Sequence, residues 1–261
     1  MVYGAVIAVT LPTVYQSVLL ITKEPVWTES IETIMNDEIF IGTRDWDVDA
    51  WVGDYYPEEL PGEWRFCFHT NNVRALMVPA TIWADTTMDT VEAWLEDCDD
   101  AFRFFPELPP AMVNAESDEA VAAVWQAWQQ QIAPIATRVA ALVLGDRKQF
   151  ATVEQLARVV KCIAGSFPLA VYPGTVNAER NDTSIGSVWY PAEGCRPEQP
   201  GACLLAVVDA GGVVDPRTLR EIIEALAAYA GGERLAGLFF DGLRAPQQAQ
   251  QARIVAELLG V

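Results

Sequence analysis

Acidic side chains stand directly after several short apolar runs of this sequence, where buried strands would end. Asp45 and Glu107 follow the first and third of these runs, and Asp209 and Asp241 follow the last two. Converging carboxylates can hold a divalent cation, or two of them can act as an acid/base pair in hydrolysis. All four are therefore candidate catalytic residues. Asp45, Asp209 and Asp241 are also candidate ligands of a divalent metal cofactor.

A second candidate site surrounds the first of these carboxylates. Arg44 precedes Asp45, and Trp46, Trp51 and Tyr55 follow within a dozen residues. Aromatic rings of this kind can stack on a sugar or a base, and Arg44 could bind an anion. Arg44, Trp46, Trp51 and Tyr55 are therefore the candidate ligand-binding residues. The alternative is that the rings pack a first loop that closes the barrel mouth, and that Arg44 pairs internally.

Histidine and phosphate chemistry have little support. His69 is the only histidine, so a Ser-His-Asp triad or a histidine-rich metal site would depend on it. It lies in an apolar segment predicted to be the first helix, which favours a structural role. The glycine pair Gly211-Gly212 lacks the spacing of a dinucleotide-binding loop, and the chain contains no P-loop.

Charge and cysteine content restrict the partners and the compartment. The chain has 261 residues, with 36 acidic residues against 17 basic ones and a formal net charge of −19, which repels phosphate backbones. Nucleic acid is therefore a disfavoured partner, whereas a small molecule or a protein is compatible. The five cysteines are an odd number without a C-x-x-C pair, which favours reduced thiols and a cytoplasmic protein. A Cys195–Cys203 bridge is the alternative.

The first 34 residues form an extension of uncertain status. Residues 1–22 carry no charged side chain, and a segment of this length is long enough for a membrane helix. Polar residues and Pro12 dilute this segment, and no Lys or Arg precedes it, so a membrane role is disfavoured. The alternatives are an arm packed on the domain and a gene start placed too early. Residues 35–261 are predicted to form a single domain.

Short apolar runs alternate with amphipathic segments from residue 38 onward, which is the pattern of β/α units and a parallel sheet. Seven strands are predicted, at 38–43, 73–78, 102–105, 139–144, 169–172, 204–208 and 235–240. Residues 173–201 are rich in Gly, Pro and Asn and predict a long loop. An eighth strand is available at 184–189. The predicted fold is a parallel (β/α) barrel of the TIM type, irregular or missing one unit around 173–201.

Several motifs resemble the domain of unknown function 72 family, whose members are also called YecE-like. They are Gly42-Thr43-Arg44-Asp45-Trp46, Trp51-Val52-Gly53-Asp54-Tyr55-Tyr56-Pro57, Thr81 with Trp83, Thr90-Val91-Glu92 with Trp94, Phe102-Arg103-Phe104 and Leu238-Phe239-Phe240. The resemblance is good over residues 38–110 and weaker over 202–260. It implies a barrel of the parallel β/α type and leaves the activity undefined.

The departures from this family fall on polar positions of its presumed site. The family has Glu and Asn on its second strand, Lys after its third, Glu and Arg-His near the end of its fifth, and Asn-Asn after its last. This chain has, at those positions, Met77 and Pro79, Glu107, Tyr172 and Pro173, and Asp241-Gly242. The resemblance therefore implies that the family's polar site is lost or rebuilt, and no catalytic residue is carried over.

Two functions follow from these observations. The first is a barrel that binds a ligand or a partner after losing the family's polar site. The second is a carboxylate-based hydrolase or lyase, metal-dependent or not, that acts at the carboxyl ends of the strands.

Overall fold

A computed structural model describes residues 39–144, 152–163, 165–172, 185–194, 196–198, 201–231 and 234–261. The predicted extension at 1–34 lies outside these residues, and so does Cys195, on which the alternative of a Cys195–Cys203 bridge depends.

Eight parallel strands form one sheet that curls into a nearly closed barrel. Their bounds are β1 Phe40–Arg44, β2 Ala75–Val78, β3 Arg103–Pro106, β4 Leu142–Leu144, β5 Leu169–Val171, β6 Ile185–Trp189, β7 Cys203–Asp209 and β8 Leu235–Asp241. The sheet order is β3-β2-β1-β8-β7-β6-β5-β4. Isolated parallel bridges from Phe104 to Val139 and from Glu107 to Val143 bring the two edge strands together. The predicted barrel is therefore confirmed, and the eighth strand that the sequence left available is present as β6, Ile185–Trp189.

Helices cover the outside of the barrel. The α-helices are α1 Arg65–Thr70, α2 Met88–Glu96, α3 Pro110–Asn114, α4 Asp118–Ile132, α5 Val153–Ile163, α6 Pro216–Ala230 and α7 Ala245–Leu259. Short 3₁₀ helices occupy Asp49–Trp51, Gly62–Trp64, Ile82–Ala84 and Ala133–Arg138. Within the described part of the chain, none of the helices has the length and apolar character needed to cross a membrane.

Local sequence signals explain where the longest helices begin and end. Ser117 accepts a hydrogen bond from the backbone N–H of Ala120, and Asp215 accepts one from Thr218, so each satisfies a free donor of the first turn. α4 ends just before Pro134, and the chain continues as a 3₁₀ helix, because proline removes a helical donor and crowds the preceding turn.

The segment for which the sequence predicts a long loop lies partly outside the described residues. Between β5 and β7 the described residues contain β6 and a turn at 191–193. The sheet has all eight strands, so no strand of the barrel is missing.

Buried apolar side chains form two layers, one on each face of the sheet, because successive side chains of a strand alternate between the two faces. The outer layer packs the strands against the helices. The inner layer fills the barrel lumen and includes Phe40, Ala75, Met77, Phe105, Ala141, Val143, Ala170, Tyr172, Val188, Cys203, Leu205, Val207 and Phe239. The lumen is therefore a packed core up to the ends of the strands.

Gly42 is required at the contact between β1 and β2. A Cβ atom at Gly42 would overlap the backbone carbonyl of Ala75, which is its register partner on β2. Both residues lie in central strands that cannot move apart without losing ladder hydrogen bonds.

We therefore expect Gly42→Ala to lower the free energy of unfolding by about 4 kcal/mol or more, as severe overpacking of a core does. The matched control is Gly212→Ala, because a Cβ there meets no atom within 4 Å. Urea denaturation of both variants measures the difference. Equal stability of the two variants would contradict the close approach of β1 and β2.

Candidate functional site

The two-residue period of the strands determines which side chains reach the carboxyl-terminal mouth of the barrel. Six residues come two positions after a residue of the lumen layer, so their side chains point to the same face of the sheet as that layer. For Arg44, the residue two positions earlier is Gly42. We call the six residues the mouth cluster: Arg44, Glu107, Tyr172, Tyr190, Asp209 and Asp241. Sites of β/α barrels are found at this end of the strands.

Glu107 lies at the centre of the mouth cluster and is almost fully buried, with 3% of its side chain exposed. One carboxylate oxygen, Oε1, accepts hydrogen bonds from Arg44 Nε at 2.6 Å and from the Tyr172 hydroxyl at 3.3 Å. The other, Oε2, accepts from Arg44 Nη2 at 3.0 Å and from the backbone N–H of Ala80 at 3.0 Å. The four donors occupy the acceptor positions of this carboxylate.

Arg44 is held by two of these bonds in a bidentate pair, the strongest geometry for a guanidinium and a carboxylate. Burial opposes its charge, but the hydrogen bonds and charge of Glu107 outweigh burial and raise the pKa of Arg44. The side chain remains 23% exposed, and its Nη1 lies 3.4 Å from Oδ2 of Asp241. Part of the guanidinium therefore faces the mouth, in an orientation that Glu107 determines.

The two tyrosines form one wall of the mouth. The rings of Tyr172 and Tyr190 stack with centroids 5.4 Å apart and an interplanar angle of 23°. Burial, and next the negative charge of Glu107, raise the pKa of Tyr172 well above its ordinary value. Its hydroxyl is consequently a hydrogen-bond donor rather than a base at neutral pH.

Asp209 and Asp241 end neighbouring strands as register partners. Oδ1 of Asp209 accepts the backbone N–H of Gly211 at 3.0 Å. Gly242 follows with φ near 105°, and the close approach of Gly211 leaves little space for a side chain there. The structure therefore brings three predicted carboxylates to one edge of the barrel, with Glu107 and Asp241 on the same arginine.

Asp45 does not join the mouth cluster. It has a left-handed backbone with φ near 77°, and its Oδ1 accepts the backbone N–H groups of Trp46 at 2.6 Å and Asp47 at 3.0 Å. Asp45 comes directly after Arg44, and these two hydrogen bonds hold its carboxylate in the first loop instead of at the mouth. Within the described ranges, no three His, Cys, Asp or Glu side chains come together in an arrangement that could hold a metal ion.

The aromatic candidates pack in the outer layer instead of lining the mouth. Trp46 contacts Phe66 and Trp94 edge-on, at 5.3 and 5.1 Å between centroids, and is 8% exposed. Trp51 is 1% exposed and donates its indole N–H to the carbonyl of Gly242 at 3.2 Å. Their positions match the alternative in which the first loop is packed against the barrel.

The single histidine fixes this same loop from α1, the helix on which it was predicted. The Thr43 hydroxyl donates to the carbonyl of Asp45 at 2.8 Å, so it accepts from His69 Nε2 at 2.7 Å. Nδ1 is then the acceptor for the Tyr55 hydroxyl at 3.2 Å. Burial lowers the pKa of His69 to about 3, so the ring is neutral and structural.

Sequence reasoning missed the tyrosine wall. Tyr190 was not a candidate, and Tyr172 counted only as a departure from the family pattern. The available signal was the alternation along the strands, because Val188 and Ala170 are lumen residues two positions earlier. Met77, which also departs from the family pattern, lies in the lumen layer too. Met77, Tyr172, Glu107 and Asp241 therefore all lie on the inner face of the barrel.

Comparison with known proteins gives a family and a fold. A family model described as a protein of unknown function, DUF72, matches residues 40–173, which is more than half of the chain. The chain belongs to this family. A comparison with curated proteins gave no match.

Solved structures with a similar fold include DUF72 family proteins and a sugar epimerase. A DUF72 family protein from Thermotoga maritima is 15% identical and has a TM-score of 0.66, with 84% of this chain and 99% of that chain covered. One from Enterococcus faecalis is 13% identical with a TM-score of 0.56, covering 75% and 93%. A D-psicose 3-epimerase with D-tagatose from Clostridium cellulolyticum is 10% identical with a TM-score of 0.52, covering 84% and 99%. At these identities the likeness is one of fold.

We expect the two carboxylates on Arg44 to differ in their contribution to stability. Glu107→Gln places an amide group against guanidinium donors and leaves a largely buried charge uncompensated, which should cost roughly 3 kcal/mol. The matched variant Asp241→Asn removes a contact that is 45% exposed and 3.4 Å long, which should cost less than about 1 kcal/mol.

Urea denaturation of both variants and the parent measures these costs. Equal losses would mean that Glu107 is not the group that holds Arg44.

Proposed function

We propose that this chain is a non-catalytic barrel that binds a small polar molecule at the mouth cluster. The observation that carries the proposal is the fixed guanidinium of Arg44, bound on one side by a buried carboxylate and partly exposed on the other. A preorganised group of this kind costs little entropy when a ligand binds. The residues that departed from the family pattern would then be a rebuilt polar site.

The open hydrogen-bonding groups of the mouth indicate the ligand chemistry. Arg44 is already paired with Glu107, while Asp209 and Asp241 add two more carboxylates that are exposed or partly exposed. The acceptors therefore exceed the open donors, which favours a neutral or cationic ligand with hydroxyl or ammonium groups over an anion. Tyr190, which is half-buried and stacked on the buried ring of Tyr172, supplies an apolar surface for the same ligand.

The polar residues at the mouth support binding better than acid/base catalysis. Glu107 would have to lose hydrogen bonds before it could accept a proton from a ligand. Tyr172 has a raised pKa, and His69 is buried on α1, outside the lumen layer. The carboxylate-based hydrolase or lyase, with a divalent metal on Asp45, Asp209 and Asp241, is therefore the less supported proposal.

The rest of the proposal concerns partners, compartment and domains. The net charge of −19 supports a ligand other than nucleic acid, and the cysteine pattern supports a cytoplasmic protein. We propose that residues 35–261 form a single domain, because the strands of one barrel run from residue 40 to residue 241.

The test is a thermal melt of the full chain with a panel of sugars, polyols, amines, carboxylic acids and Mg²⁺, Mn²⁺, Ca²⁺ and Zn²⁺. A ligand at about 100 times its dissociation constant should add roughly 2.7 kcal/mol, which raises the Tm by about 5–10 °C. We expect a polyol or an amine to do this, and Asp241→Asn to abolish the rise.

The control variant is Glu92→Gln, an exposed carboxylate on α2 that lies away from the mouth. It should keep the full rise. A rise that Asp241→Asn leaves intact would refute binding at the mouth cluster. A rise with a divalent cation alone, lost in Asp241→Asn, would favour the metal-dependent enzyme.

A further inference from the structure

A cavity lies at the opposite end of the barrel from the mouth cluster. Its volume is about 210 Å³, the share of roughly seven liquid waters. The lining comes from the start of β1, from the residue that precedes β2, and from the last two turns of α7 and the residues after it. Because all strands are parallel, this is the amino-terminal end, which the proposed function does not use.

Two arginines line this cavity. Arg253 on α7 donates one hydrogen bond from Nη1 to the backbone carbonyl of Asn72 at 3.0 Å, which orients its guanidinium without neutralising it. Arg74 is exposed. Neither side chain has a carboxylate within 4 Å among the described residues. Two positive charges without a salt-bridge partner among the described residues therefore line one small space.

Apolar side chains form the rest of the wall. Phe40 and Ile41 are each 5% exposed, and Ala256 is buried on the facing helix. The cavity thus combines cationic groups with an apolar surface, which is the common make-up of a small-molecule site.

One acidic group limits the charge of the ligand. Glu257 also lines the cavity and is exposed. The two arginines and Glu257 give the lining a formal charge of +1, which a monoanion neutralises and a dianion such as phosphate exceeds. A planar carboxylate also matches the fork of a guanidinium.

We propose that this cavity binds a small organic monoanion, a carboxylate that carries a short apolar group. The carboxylate pairs with Arg74 and Arg253, and the apolar group lies against Ile39 and Ile41, which are on the same face of the chain at the start of β1.

The experiment is isothermal titration of the full-length protein with benzoate and butyrate, and with butylammonium and inorganic phosphate for comparison. We expect benzoate and butyrate to bind more tightly than the other two. Arg74→Gln should weaken benzoate binding at least tenfold, and Arg74→Lys should weaken it less, because lysine keeps the charge and loses the fork.

Two control variants separate this site from other effects. Arg217→Gln removes an exposed arginine of α6 outside the cavity, and Asp241→Asn alters the mouth cluster. Both should bind benzoate as the parent does. The proposal is overturned if benzoate does not bind, if Arg74→Gln binds it as tightly as the parent, or if butylammonium binds equally well.

Discussion

A guanidinium and a carboxylate meet at the carboxyl-terminal mouth of this barrel, above a lumen filled with apolar side chains. Glu107 is buried, and a buried carboxylate is stable only when it is paired and hydrogen-bonded. Arg44, Tyr172 and the backbone of Ala80 meet that requirement together. The pair therefore joins β1, β3 and the end of β5 at the level where the apolar core ends.

The first loop is built on the other face of the same strand. Thr43 points outward to His69, and Asp45 turns the chain back in a left-handed conformation. Trp51 then reaches the carbonyl of Gly242 beside Asp241. The first loop and the mouth cluster thus share β1 and the end of β8, so the position of Arg44 depends on the packing of a loop that carries no mouth residue.

The fold was largely predictable because it depends on patterns that survive in one sequence. Short apolar runs identified seven strands and left an eighth available at 184–189, and capping residues such as Ser117 and Asp215 identified helix starts. Boundaries were less certain. The apolar run at 139–144 predicts a strand, but the ladder begins at Leu142, and Val139 makes only an isolated bridge.

The candidate site was only partly predictable. Arg44, Glu107 and Asp241 were recognised one by one, whereas their contact across 197 residues of sequence required the closed barrel. Asp45 was grouped with them because it directly follows the strand, but its left-handed backbone and its hydrogen bonds to the N–H groups of Trp46 and Asp47 hold it in the first loop. Tyr190 was missed because its strand begins inside a segment without a clear pattern.

The most direct measurement of this account is a double-mutant cycle between Arg44 and Glu107, with Arg44→Met, Glu107→Gln and the double variant compared by urea denaturation. The account predicts a coupling free energy of about 2–3 kcal/mol, with the double variant more stable than Glu107→Gln alone. A coupling below about 0.5 kcal/mol would show that the two side chains act independently and would contradict the central role of this pair.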